Sequence, residues 1–210
     1  MKNFILIALL VFSSLISKGA IHDLYFPTLI RLEGVIFTVT KYDNGGETKF
    51  GITLKTFKQY ASYSRKNFVA CDKNKDGRIT RRDLSRTCLL DVKPIYKIMF
   101  WDIAKCDSLK SQAVAEMVTD LFVNSGKGYD FRHVKFYQRC VGTATDGKIG
   151  VKTVNAVNAF NSHSLFKSLY VYRANFYRQL VSKNRSQEKF LNGWYRRLNI
   201  LKSIHHEIFI

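Results

Sequence analysis

Apolar residues recur three and four positions apart along most of the chain, the spacing of helices that bury one face. His22 to Leu32 sets Leu24, Ile30 and Leu32 among polar residues, and the same period runs through 54–60, 93–100, 111–124, 131–141, 151–160 and 165–180. A last helix is expected from about Gln187 to Ile204, behind the capping residues Asn184 and Ser186. Strand material is confined to Phe37–Ile52, where Asn44-Gly45-Gly46 reads as a tight turn between two arms. Gly126-Lys127-Gly128 separates two helices, and the polar, glycine-rich stretch from Gly142 to Gly150 breaks the periodicity. The pattern predicts a mainly α protein: a helical domain over 20–141 with a small β-hairpin, then a helical C-terminal region over 142–210.

The first twenty residues depart from this pattern. Lys2 precedes an apolar run from Phe4 to Ile16, which closes on Ser17-Lys18-Gly19-Ala20. A positive start, a short apolar stretch and small residues at its end describe a secretory signal peptide over 1–19. The run is short for a bilayer span, so an uncleaved anchor is the lesser alternative. Composition excludes further classes. With 14% aromatic residues the whole chain is not disordered, and 2 prolines exclude a Pro-rich linker.

Lys and Arg number 34 against 16 Asp and Glu, a net charge of +18. Such a surface seeks polyanions: nucleic acid, anionic membrane or an acidic wall polymer. Signal removal takes Lys2 and Lys18 with it, lowers the charge by two and moves the chain outside the cytoplasm. Export argues against nucleic acid and leaves the cell envelope. The expected location is therefore secreted or periplasmic, with no stable membrane insertion after cleavage and a monomeric state. Four cysteines, Cys71, Cys88, Cys106 and Cys140, lack the close pairs of a zinc site. Three disulfide pairings are open. Because Cys71 and Cys88 bracket a loop of special composition, 71–88 with 106–140 is the expected one.

Three groups of residues carry chemistry. The first is Glu33, Asp43 and Thr48. A helix ending in a glutamate, followed by a hairpin with an aspartate and a threonine, can turn these side chains into one cleft. Breaking a glycosidic bond needs one carboxylic acid to protonate the leaving oxygen and a second carboxylate to activate water. Leu32, Val35, Ile36 and Phe37 around Glu33 would raise its pKa and keep it protonated. On spacing alone, a surface glutamate and a turn aspartate remain an equally complete reading.

The run Leu32-Glu33-Gly34, then Tyr42-Asp43-Asn44-Gly45-Gly46-Glu47-Thr48-Lys49-Phe50-Gly51-Ile52-Thr53, resembles glycoside hydrolase family 108. Pro94-Ile95-Tyr96, Phe100-Trp101-Asp102 and Asp120-Leu121-Phe122-Val123-Asn124-Ser125-Gly126 follow in the family's order. The resemblance covers most of 25–200 and implies a lysozyme-like fold with about 61–90 as an insertion, and an N-acetylmuramidase whose catalytic glutamate is Glu33. The Glu–Asp–Thr set of phage-type lysozymes would fall on Asp43 and Thr48, the aspartate one residue further along. Val35 stands where the family usually has a second glycine.

The second group is Asp72-Lys73-Asn74-Lys75-Asp76-Gly77-Arg78-Ile79-Thr80-Arg81-Arg82-Asp83, which fits an EF-hand loop except for its closing Asp. Asp72, Asn74, Asp76, the Arg78 carbonyl, Thr80 and Asp83 would hold a structural Ca2+. Five basic residues inside the loop would weaken binding to roughly 0.1–1 mM. The form with a terminal Asp resembles dockerin loops. The third group, Asp146-Gly147-Lys148-Ile149-Gly150-Val151-Lys152-Thr153, resembles the turn of helical peptidoglycan-binding domains, although turn chemistry alone accounts for its glycines. Together the groups predict a peptidoglycan hydrolase cutting the β-1,4 bond between N-acetylmuramic acid and N-acetylglucosamine. A calcium-stabilised, non-catalytic wall-binding module and a lytic transglycosylase are the alternatives.

Overall fold

The computed structural model describes residues 19–34, 38–39 and 47–209. The main helices are α1 (His22–Glu33), α2 (Leu54–Ser62), α3 (Arg65–Cys71), α4 (Arg81–Ser85), α5 (Leu89–Tyr96), α6 (Gln112–Ser125), α7 (Arg132–Cys140), α8 (Val151–Ala159), α9 (Ser162–Lys183) and α10 (Glu188–Ile204). Local chemistry sets many of the starts. Thr53, Ser64, Ser111 and Asn161 each accept a backbone N–H from the first turn of α2, α3, α6 and α9 respectively. The helices α3 and α4 flank the 72–83 loop. Their apolar residues are too few to show a period, so the sequence pattern did not reveal them.

The strand region is a small antiparallel sheet of β1 (Thr38–Val39), β2 (Glu47–Lys49) and β3 (Ile52–Thr53) in that order. Thr48 faces Thr38 on one side and Thr53 on the other. Lys49 pairs with Ile52, so Phe50 and Gly51 form the two-residue loop between β2 and β3. Their φ angles of 51° and 75° are both left-handed, as a type I′ turn requires. The expected turn at 44–46 lies outside the described residues.

One continuous core runs from Ala20 to Ile208. Its axis is α6, in which every residue from Ala113 to Phe122 is buried, including Glu116, Thr119 and Asp120. A helix covered on all sides must be enclosed by others. Here α9 packs on α6 and α10 packs on α9. The C-terminal helices are therefore part of the same core as α1. Hydrogen bonds fasten the two parts further: Asn158 of α8 accepts from Lys110 N–H (2.8 Å) and donates to Ser108 O (2.8 Å). His205, just past α10, meets Glu116 of α6 at 2.8 Å.

The expected disulfides are not formed; all four cysteines are free. Cys106 is buried against α6, its Sγ 3.3 Å from Thr119 Oγ1 and 3.6 Å from Ala115 O, whereas Cys88 is exposed at the start of α5. Burial pushes the thiols of Cys71 and Cys106 up to about 12, which suppresses the reactive thiolate. The expected signal segment, apart from Gly19, lies outside the described residues. Ala20 is buried and its N–H donates to Leu109 O at 2.7 Å. No helix among the described residues is long and apolar enough to cross a membrane.

Candidate active site

Glu33 is the last residue of α1. Gly34 ends the helix with φ at 80°, and its N–H closes back on Ile30 O. The carboxylate thus sits at the negative end of the helix dipole, where ionisation is disfavoured. Two walls enclose it. One is the β2–β3 turn: a Cβ on Gly51 would collide with Glu33 Oε2 and the Tyr96 hydroxyl. Gly51 is therefore required twice, for its positive φ and for this close approach. The turn is held from α5, because Tyr96 donates its hydroxyl hydrogen to Phe50 O at 2.7 Å. That bond also supports Phe50 in a backbone region that bulky residues rarely enter.

The other wall is α10. Arg197 Nη1 donates to Glu33 Oε1, and Arg197 Nε donates to both carboxylate oxygens of Asp120 at 3.0 and 2.9 Å. Its Nη2 lies 2.8 Å from Asp120 Oδ1 without an aligned hydrogen bond. Asp120 is fully buried and also accepts from Arg173 Nη2 (2.8 Å) and the Tyr25 hydroxyl (2.5 Å). Arg173 in turn donates to Tyr177 Oη at 2.8 Å, and Tyr177 donates to Asn124 Oδ1 at 2.9 Å. Two carboxylates and two guanidinium groups from α1, α6, α9 and α10 thus form one nearly dry network.

The two carboxylates are shifted in opposite directions. Burial opposes ionisation of Asp120, but Arg197 and Arg173 outweigh it and hold the carboxyl at about 2. Glu33 goes the other way: burial raises its pKa, Arg197 pulls against that, and the charge of Asp120 adds to it. Asp120 is thus held as an anion, while Glu33 gives up its proton less readily than an ordinary carboxylic acid. Arg197 spans both, so it stands ready to stabilise Glu33 once that proton has left.

The structure places the other expected site residues as follows. Thr48 is the half-buried middle residue of β2, with no side-chain hydrogen bond among the described residues. Asp43 lies outside the described residues. In the 72–83 loop the side chains turn inward on their own backbone. Asp72 accepts from Asp76 and Gly77 N–H (3.1 and 2.9 Å), Asn74 from Asp76 N–H (3.2 Å), and Asp76 from Arg78 N–H (2.9 Å). Asp83 is buried, accepts from Asn74 N–H at 3.2 Å and caps α4 through Thr80 N–H at 2.8 Å. Among the described residues no three His, Cys, Asp or Glu side chains are gathered as a metal-holding group. The 146–153 turn is organised by buried Gln138, which donates to Asp146 Oδ1 (2.7 Å) and Lys148 O (3.0 Å) and accepts from Gly147 N–H (2.9 Å). That accounting favours a structural element over a ligand site.

This geometry can be set beside known proteins. Residues 26–126 match the family model Glycosyl hydrolase 108. Residues 132–199 match a second, the Predicted Peptidoglycan domain. The first match contains Glu33, Thr48 and Asp120; the second contains Arg173 and Arg197. Among solved structures the chain is similar to the one titled "Structure of Brucella abortus SagA", with 23% identity, a TM-score of 0.67, and coverage of 89% of this chain and 94% of that one. That likeness is one of fold. No curated protein matches the chain. The matches support a glycoside hydrolase with peptidoglycan as its partner, which fits an extracellular or envelope location.

Sequence reasoning missed Gly51, Tyr96, Asp120, Arg173 and Arg197. A signal for three of them was present. Asp120 is a charged residue in the fully buried run of α6, and Arg173 stands between Leu169 and Tyr177 on the buried stripe of α9. Arg197 adjoins Leu198 and Leu201 on α10. A charge on an apolar stripe demands a buried partner of opposite sign.

Proposed function

We propose that the protein is an N-acetylmuramidase of lysozyme type, cutting the β-1,4 bond between N-acetylmuramic acid and N-acetylglucosamine. The observation that supports this reading best is Glu33: a helix-terminal carboxylic acid, desolvated and with its pKa raised by burial, inside the stretch that matches a glycosidase family. Glu33 protonates the leaving glycosidic oxygen. As its carboxylate forms, the Arg197 guanidinium already in contact stabilises it. Asp43 deprotonates the attacking water and Thr48 positions that water. Microscopic balance is simple: one proton goes to the leaving sugar, one leaves water, and the hydroxide adds to the muramic carbon. The expected location is the cell envelope or its exterior, after removal of 1–19, with the protein acting as a monomer.

Mass spectrometry of digested peptidoglycan tests the reaction. Reducing muramic ends are expected. Anhydro-muramic ends would replace the hydrolase with a lytic transglycosylase, and an absence of fragments would leave only a wall-binding protein. Glu33→Gln should lower the rate about 10²–10⁴-fold, the usual contribution of a general acid. Full activity in that variant would remove Glu33 from the mechanism.

We also propose that the 72–83 loop takes a structural Ca2+ through Asp72, Asn74, Asp76, the Arg78 carbonyl, Thr80 and Asp83. The spacing of oxygen donors around Gly77, whose φ is 76°, supports this. The role is to stabilise the insertion, with no part in the reaction.

A further inference from the structure

Beside Glu33 a groove of about 680 Å³ opens between the end of α1, the end of α6 and the outer face of α10. Its lining includes Arg31, Asn124, Gly193, Trp194, Arg196 and Arg197. The size is that of a small-ligand site. Its chemistry is cationic. Arg197 already serves Glu33 and Asp120, but Arg31 and Arg196 make no hydrogen bond or ion pair among the described residues. Both are exposed, on two different helices facing one space. One wall is rigid, because Trp194 stacks on buried Tyr177 with ring centres 5.2 Å apart.

Gly193 sharpens the picture. It lies inside α10, where glycine weakens a helix relative to alanine. Yet a Cβ there would meet nothing within 4 Å, so no packing within the fold demands its absence. A costly glycine with no internal neighbour keeps the groove floor open.

We propose that this groove binds the carboxylate-bearing stem peptide that hangs from the muramic acid residue of the substrate. This rests on the reading of the substrate as peptidoglycan. The glycan backbone offers hydroxyl and acetamide groups but few charges, whereas the stem peptide carries several carboxylates, which guanidinium groups grip in paired hydrogen bonds. Position agrees with charge. The groove begins at Arg197, which touches Glu33, and a stem peptide begins on the muramic ring next to the bond Glu33 would protonate. The C-terminal helices then serve the reaction directly: they supply the partner of the acid on one side and a peptide subsite on the other. Selectivity for peptide-bearing over stripped glycan follows.

Two soluble probes test this: a GlcNAc–MurNAc disaccharide carrying a tetrapeptide stem, and the same disaccharide without it. Each contains only the linkage from GlcNAc C1 to MurNAc O4 and not the one from MurNAc C1 that the proposed reaction cuts, so binding is read without turnover and independently of the cleavage assay. Calorimetric titration of the unaltered protein should show the peptide-bearing probe binding about tenfold tighter, equivalent to about 1.4 kcal/mol. The double variant Arg31→Ala/Arg196→Ala should bring the two probes to within about twofold of each other. Gly193→Trp, which fills the groove while leaving every charge in place, should do the same; retained helical circular dichroism confirms that both variants fold. Equal affinity of the unaltered protein for the two probes overturns the proposal, as does a preference that survives in either variant. If the preference behaves as expected while no peptidoglycan is cleaved, the muramidase reading falls and the peptide site stands.

Discussion

The Glu33 network and the 72–83 loop both gather acidic side chains, and they do so in opposite ways. In the loop every acceptor finds a donor within nine residues, as in Asn74 N–H to Asp83, and half of the segment is exposed. In the network the partners come from afar: Glu33 and Arg197 are 164 residues apart, Tyr25 and Asp120 are 95, and Arg173 and Asp120 are 53. The loop satisfies itself and could form before the rest of the chain has folded. The network exists only when α1, α6, α9 and α10 have all assembled. An exposed local cluster is worth little to global stability and tolerates change. A buried long-range one is costly to break, because each partner lost strands a charge away from water.

The largest test of this contrast is Asp120→Asn. It leaves two guanidinium groups facing a neutral amide in a dry site, and should destabilise the fold by about 3–5 kcal/mol. A chain of this length should then melt roughly 10 °C lower. The matching change in the loop, Asp76→Asn in calcium-free buffer, should shift the melting temperature by less than about 1 °C, a typical surface effect. Equal losses in the two variants would erase the distinction.

Gly51→Ala should come next. The new methyl group meets Glu33 and Tyr96 while the backbone remains left-handed, which costs about 1–2 kcal/mol for a residue other than glycine. Displacing the acid by a fraction of an ångström should also lower kcat about 10²-fold. Gly193→Ala, a glycine with open space around it, should be neutral or slightly stabilising. Thermal melts and turnover of the two alanine variants separate a glycine that fits against the acid from one that only leaves room.

The pH dependence divides the network itself. Asp120 is held at about 2 against an ordinary 3.8, so its contribution to stability is complete above 3.8 and is lost as pH falls through about 2. Its size is on the order of 2 kcal/mol. Glu33 has the opposite sign. Its raised pKa means the folded state holds the proton more tightly, so its contribution is complete below the ordinary 4.5 and fades as pH rises through the folded value. Activity should fall over that same rise, because the acid must be protonated to act. In Arg197→Met the opposing charge is gone, burial and the Asp120 charge act unopposed, and the basic limb of the rate profile should move to higher pH. An unmoved limb would uncouple Arg197 from the acid.

The same contrast explains what could be read from the sequence. Helix periodicity revealed α1, α2 and α5 to α10, because each buries a stripe that recurs along its own length. Glu33 was legible because a helix end and an apolar neighbourhood are local. Asp120, Arg173 and Arg197 were not, since their meaning depends on which helices meet in space. The donor spacing of the 72–83 loop stands out in the sequence, yet its flanking helices α3 and α4 were too short to carry a period. Disulfides were expected from an even count of cysteines. Their absence follows from packing: Cys106 is occupied in the core by Thr119 and Ala115.

The smallest expected effect belongs to the loop and concerns calcium. Its donors lie on one short segment, so binding stabilises that segment and reaches the core through α3 and α4, which pack on α2 and β2, and through Lys73 and Ile79. With a dissociation constant of about 0.5 mM, 5 mM Ca2+ should add about 1.4 kcal/mol to the folded state. The melting temperature would rise by roughly 3–5 °C. Asp72→Ala should abolish that rise while leaving turnover at saturating substrate unchanged, because no loop donor belongs to the Glu33 network. A turnover that followed calcium in step with the melting temperature would join the two clusters into one machine. An unchanged melting temperature in 5 mM Ca2+ would leave the loop as a self-capped turn, with Asp83 serving the start of α4 and the Asn74 N–H.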